Sequence, residues 1–188
     1  MMTEDRPMKI GLAGGIGSGK SYVARQLALR GISVYDCDNA AKRLMRGEQM
    51  QRQLEQLIGT NPTKQALTRF LLASDDNARA INAIVHPAVF ADFEQSGLSW
   101  LESGIMYESG ADHYVDRVVI VTAPEEVRIQ RIMKRDDISR QQALEWISRQ
   151  WPQERVRQLA DYEIVNDGTT DINEQLNHIL EALCKKPF

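Results

Sequence analysis

The residues best suited to chemistry in this chain are Gly14-Gly15-Ile16-Gly17-Ser18-Gly19-Lys20-Ser21, which fit the pattern G-x-x-x-x-G-K-[ST]. An apolar stretch, Met8 to Ala13, precedes them, and a stretch with helical periodicity, Ser21 to Arg30, follows. In that context the pattern reads as a phosphate loop rather than a flexible turn. Glycines let successive amide N–H groups close on an anion at the start of a helix. The expected triphosphate contacts are therefore Gly15, Ile16, Gly17, Ser18, Gly19, Lys20, Ser21 and Tyr22. Lys20 would bridge the β- and γ-phosphates, and the Ser21 hydroxyl would ligate Mg²⁺.

A second cluster is Tyr35-Asp36-Cys37-Asp38, two carboxylates at i and i+2 just after a short apolar run. Strand ends of parallel sheets face the ligand crevice. Asp36 there could orient an acceptor hydroxyl or take its proton, with Asp38 near metal or substrate. Asp38 also precedes Asn39 to Leu44, so it could instead cap that helix. Cys37 between them reads as a small buried filler. A third feature is the basic segment Arg128 to Arg157, with eight basic residues against four acidic ones. Helices so charged suit a lid closing over transferring phosphates. Glu102 falls where an acid that assists the metal would sit. His86-Pro87 looks like the start of a helix. The three histidines and two cysteines make no metal-ligand spacing.

Positioning these groups requires alternating strands and helices. Strands are expected at Met8–Ala13, Ile32–Tyr35, Leu98–Glu102, Arg117–Thr122 and Tyr162–Asn166. The helices expected between them include Lys64–Ala73, one capped by Ser74 and running to Val85, and one opening at Pro87. Further helices are expected from Pro124 (capped by Thr122), after Ser139, at Pro152 and from Asp171 to Leu183. The alternation points to an α/β fold, a parallel sheet covered on both faces. At 188 residues and 21.3 kDa the chain is one domain, or one with an insertion. A formal net charge of -3 disfavours nucleic acid as partner. No segment has the length of a membrane span, MMTEDRPMKI holds no apolar signal segment, so export is not expected, and two cysteines suit a reducing cytoplasm.

In order and spacing these pieces resemble the dephospho-coenzyme A kinase family, from about Lys9 to Gly168. GLAGGIGSGKS matches its first strand and phosphate loop, and VYDCDNAAKRL its Asp-x-Asp and helix. INAIVHP, VDRVVIVTAPEEVRIQRIMKRDD, Arg149-Gln150 and ADYEIVNDG follow in turn. The resemblance implies ATP and Mg²⁺, with dephospho-CoA as the small-molecule acceptor. It also implies a five-stranded parallel sheet with flanking helices, a helical substrate-binding insertion and a helical lid. On this chain the nucleotide core would be residues 1–38, 97–127 and 158–188, the insertion 39–96 and the lid 128–157. Lys20, Asp36 and Arg135 would be catalytic, Asp36 contacting the ribose 3′-hydroxyl. Arg140 would approach ATP phosphates and Asn166 the adenine. Asp38, Lys64 and His86 would join Asp36 in holding the acceptor.

The chain departs from the family at Tyr22, usually Thr, and at Gly104-Ile105-Met106-Tyr107-Glu108, where Pro-Leu-Leu-x-Glu is usual. Lys64 stands where arginine is common, which keeps charge but loses the bidentate fork. Kinases of nucleosides, nucleotides or shikimate share the same loop and remain the alternative reading. A nucleotide-dependent switch would need a guanine-reading Asn-Lys-x-Asp, and Asn166-Asp167-Gly168 lacks the lysine.

Overall fold

A computed structural model describes residues 6–185. Its chain divides into two compact units, one holding residues up to Val34 and from Ser99 onward, the other Tyr35–Leu98. The first unit is built on parallel strands. β1 (Ile10–Ala13) lies at the centre, paired with β3 (Trp100–Ser103) on one side and β4 (Arg117–Thr122) on the other. β4 pairs in turn with β5 (Tyr162–Val165). With β2 (Val34–Asp36) the sheet has five strands in the order β2-β3-β1-β4-β5. All four residues of β1 are buried, as are Val118 to Thr122 of β4. Strands covered on both faces read as unbroken apolar runs rather than alternating ones, which is why MKIGLA and RVVIVT stand out in the sequence.

Two helices of this unit pack on the sheet. α1 (Lys20–Ala28) contributes Val23 and Leu27, and α9 (Ile172–Lys185) contributes Leu176 and Ile179, to a core with Ile10, Leu12, Trp100, Val119, Val121 and Ile164. The connection from β1 into α1 places residues 14–19 at the C-terminal end of the central strand. A smaller core joins α6 (Glu125–Asp136) to α7 (Arg140–Ser148) through Ile129, Ile132 and Ala143. α7 starts with a full capping box, Ser139 and Gln142 each bonding the other's backbone N–H. α8 (Gln153–Leu159) follows Pro152, and Arg155 stacks its guanidinium 3.3 Å from the centre of the Trp151 ring.

The second unit is helical. It holds α2 (Cys37–Leu44), α3 (Glu48–Ile58), α4 (Lys64–Ala73) and α5 (Asp75–Ser96). Ser74 caps α5 as expected, but that helix does not stop at Val85, and Pro87 lies inside it. The burial of Ile81, Val85, Val89, Phe90 and Phe93 runs past the proline on one face. Pro87 and Ala83, whose carbonyl the ring leaves without its donor, are both exposed, so water can satisfy that oxygen. Two caps also differ from expectation. Thr122 donates its hydroxyl to Glu163 Oε1 at 2.7 Å, and Pro124 holds the cap position of α6. The cap of α2 is Asp36, not Asp38, which sits in the first helical turn.

Candidate active site

The loop from Gly14 to Gly19 is shaped by glycines that no other residue could replace without strain. Gly17 has φ +78° and Gly19 φ +97°, and Gly19 is the cap of α1. Within the loop the Ser18 amide donates to the Gly15 carbonyl at 3.1 Å. Lys20 is the first residue of α1, where the first-turn amides have no partner four residues back in the helix, and its Nζ lies 3.6 Å from the point where a Cβ on Gly104 would sit. The dipole of the helix adds a positive end to the same place. Ser21 donates its hydroxyl to Glu102 Oε1 at 3.4 Å, and the β1–β3 register puts Leu12 opposite Glu102. A hydroxyl and a carboxylate are hard oxygen donors of the kind Mg²⁺ takes alongside phosphate oxygens and water. The two side chains are of a kind that fits the ion.

Side chains distant in sequence pin the loop from outside. Arg128 on α6 donates from Nε to the Ile16 carbonyl at 2.9 Å. One turn on, Arg131 donates from Nη1 to the Gly17 and Ser18 carbonyls at 3.3 Å each, and from Nη2 to Asn166 Oδ1 at 3.1 Å. Asn166 in turn donates from Nδ2 to the Ser18 carbonyl at 2.8 Å. Gln150, in the α7–α8 turn, accepts from the Ile16 amide at 2.7 Å and donates to the Gly104 carbonyl at 3.0 Å. The retained glutamate of the altered 104–108 stretch, Glu108, accepts from the Trp151 amide at 2.9 Å. The missing proline at 104 therefore leaves a segment that is still tied to the α7–α8 turn.

The residues expected to work together are brought together only in part. The loop, Ser21, Asn166 and Arg131 form one cluster. Tyr22 is exposed on α1, with Arg25 stacked 5.8 Å from its ring centre. Among the described residues, neither Arg135 nor Arg140 hydrogen-bonds the loop. Arg135 pairs with Asp136 at 2.7 Å and Arg140 with Glu126 at 2.7 Å, all but Asp136 more than half exposed. Such surface pairs hold by about 0–1 kcal/mol, so either arginine can leave its partner for a phosphate. Hydrogen bonding from Arg140 keeps the Glu126 carboxyl below its ordinary range. Arg128, by contrast, is a loop contact that motif spacing did not single out, and Gln150, which falls in the family pattern with Arg149, is given no role by that pattern. The available signal was the i, i+3 placement of Arg128 and Arg131 on one helix face.

In the second unit, Asp36 accepts from the Asn39 amide at 2.9 Å and from Asn39 Nδ2 at 2.6 Å. Its carboxylate is thus held in one orientation at the end of β2. Behind it Tyr35 donates its hydroxyl to Asp92 at 2.6 Å, and Arg43 pairs with the same carboxylate. Burial first, then the bond to Asp92, pushes the Tyr35 phenol above its ordinary range. Asp38 is exposed in the first turn of α2, and Lys64 is exposed at the start of α4, capped by Thr63. His86 lies half-buried on α5 with its ring 6.0 Å from that of Phe90, and burial lowers its pKa.

A family model described as dephospho-CoA kinase matches residues 8–171. A dephospho-CoA kinase of Bacteroides fragilis is 33% identical over 193 residues, covering 95% of this chain and 94% of the relative. Among solved structures, the Thermus thermophilus protein TT1252 superposes with a TM-score of 0.85 at 29% identity, covering 97% of this chain and 100% of that one. A dephospho-CoA kinase of Campylobacter jejuni shares the fold with a TM-score of 0.64 at 18% identity, over 94% and 97% of the two chains.

Proposed function

The chain belongs to the dephospho-CoA kinase family, and from that premise we propose how its residues carry out the reaction. It is a kinase that phosphorylates dephospho-CoA at the expense of ATP. The observation that carries this reading is the phosphate loop at the end of β1, in a chain that the family model matches over residues 8–171.

The triphosphate binds at the loop through Gly17 to Ser21, with Lys20 against the β- and γ-oxygens; the amides of Ile16, Ser18 and Tyr22 already donate to Gln150 Oε1 and to the Gly15 and Gly19 carbonyls. Ser21 and Glu102 would hold Mg²⁺, which would supply positive charge against the phosphates. Asp36 orients the ribose 3′-hydroxyl of the acceptor for in-line attack, its carboxylate kept in place by Asn39. Asp38, Lys64 and His86 contribute to holding the acceptor. Asn166, which the family resemblance sets beside adenine, also braces the Ser18 carbonyl. Arg135, at the far end of α6, and Arg140, at the start of α7, leave their surface partners and turn to the phosphates when ATP is bound. Closure excludes water and suppresses hydrolysis of ATP. Charge on the equatorial oxygens is then spread over Lys20 and these arginines.

The test is a pair of variants. Lys20→Ala should lose most turnover and bind ATP more weakly. Asp36→Asn should lose about 100-fold or more in kcat with ATP affinity unchanged. Full turnover in Lys20→Ala would remove the loop from the mechanism. Near-normal kcat in Asp36→Asn would place the acceptor contact elsewhere.

A further inference from the structure

Arg128 is the one arginine of the basic segment that is buried, at 5% exposure. Its backbone lies against Gly17, where a Cβ would fall 2.7 Å from the Arg128 carbonyl oxygen. Its Nε donates to the Ile16 carbonyl at 2.9 Å. Its Nη2 lies 2.5 Å from the point where a Cβ on Gly15 would sit, and Gln150 Oε1 lies 3.0 Å from that same point. The guanidinium is therefore packed into the outer wall of the phosphate loop, beside a neutral amide. Among the described residues no carboxylate makes an ion pair with it, and Glu125 acts on it only at longer range. Burial accordingly disfavours its charged form.

A buried charge without a partner is costly, and arginine cannot escape the cost by losing its proton. In a medium of low dielectric its attraction for a nearby anion is correspondingly strong. We propose that Arg128 is a positioning residue for polyphosphate, holding the loop by its Nε–H while its buried charge takes its counter-charge from the phosphates on the other side of the loop backbone. The proposal rests on the reading of residues 14–21 as a triphosphate loop. It sets Arg128 apart from Arg135 and Arg140, whose charges are already paired at the surface. It also makes Arg128 a residue that sacrifices stability without nucleotide to gain affinity with it.

The experiment uses the full chain and compares wild type, Arg128→Gln, Arg128→Lys and Gln150→Glu. Binding of ATP, ADP, pyrophosphate and adenosine is measured by calorimetry, and melting is followed without ligand. Arg128→Gln should weaken ATP and pyrophosphate by about tenfold or more, ADP by less than ATP, and adenosine not at all. Its ligand-free melting temperature should match or exceed that of wild type, and Arg128→Lys should recover part of the affinity. Gln150→Glu keeps an acceptor for the Ile16 amide and adds a carboxylate beside the guanidinium. It should weaken pyrophosphate in the same way with the arginine still present, which decides the matter if Arg128→Gln fails to fold. Equal loss for adenosine and pyrophosphate, together with a lower melting temperature, would make Arg128 a structural brace and overturn the proposal. Wild-type affinity for pyrophosphate in Arg128→Gln, or in Gln150→Glu, would overturn it too. Absence of ATP binding in the wild type itself would instead overturn the triphosphate reading beneath it.

Discussion

Gly19→Ala tests the construction of the loop at its tightest point. Gly19 has φ +97° and ψ 24°, and an L side chain in the left-handed region costs about 1–2 kcal/mol. An alanine Cβ there would also fall within the van der Waals radius of Asn166 Nδ2. Asn166 is 8% exposed, and its Nδ2 holds the Ser18 carbonyl at 2.8 Å. Displacing it forfeits that hydrogen bond in a buried setting, a further cost of about 1–2 kcal/mol. The variant should therefore be about 2–4 kcal/mol less stable, and for a chain of this length each kcal/mol lowers the melting temperature by about 2–4 °C. The two terms separate in a double-mutant cycle with Asn166→Ala. In that background the steric term is gone, and Gly19→Ala should cost only the backbone term of about 1–2 kcal/mol. Urea unfolding of the four proteins supplies the numbers. An identical cost for Gly19→Ala in both backgrounds would show that the Asn166 contact carries no energy, and the account of the pinned loop would be wrong.

Three further expectations follow from the structure. Arg131→Ala removes bonds to the Gly17 and Ser18 carbonyls and to Asn166, so kcat/KM for ATP should fall by about tenfold or more, equivalent to about 1.4 kcal/mol. Arg135→Ala should leave stability within about 0.5 kcal/mol, since its pair with Asp136 is on the surface, yet lower turnover and abolish the protease protection that an ATP analogue confers. Undiminished protection would deny Arg135 a part in closure. Burial lowers the pKa of His86 below its ordinary 6.5, so below that pH the unfolded chain takes up the proton before the folded one does. Stability should fall as pH drops from about 7 through the folded value, and His86→Gln should flatten the slope in a urea series between about pH 7 and pH 5. An unchanged slope would assign the acid sensitivity to other groups.

What could be read from the sequence is what depends on local spacing. The phosphate loop needs its glycines, lysine and serine at fixed offsets, and β4 is a run of apolar and β-branched residues, so Arg117–Thr122 comes out with its observed bounds. α4 likewise spans Lys64–Ala73 as its periodicity suggests. Pro87 misleads because a proline ring faces solvent as easily inside a helix as at its start when the carbonyl it orphans is exposed. Asp36 and Asp38 are two residues apart, and the choice of cap turns on a single φ/ψ pair that composition does not encode. Arg128, Arg131 and Gln150 act on the loop across 112 to 134 residues of chain. Their roles follow from the packing of α6 and the α7–α8 turn, so the i, i+3 spacing of Arg128 and Arg131 and the Arg149-Gln150 pair mark the residues without saying what they touch. Arg135 and Arg140 fit their motif, yet the structure pairs both with neighbouring carboxylates.

The most direct test of the central claim is an ADP-release assay with ATP and Mg²⁺, offering dephospho-CoA in parallel with adenosine, AMP, CMP, pantothenate and shikimate. ADP release that requires dephospho-CoA, with a product heavier by one phosphate on the ribose 3′-oxygen, is the predicted result. Release driven equally by another acceptor, or indifferent to dephospho-CoA, would contradict it.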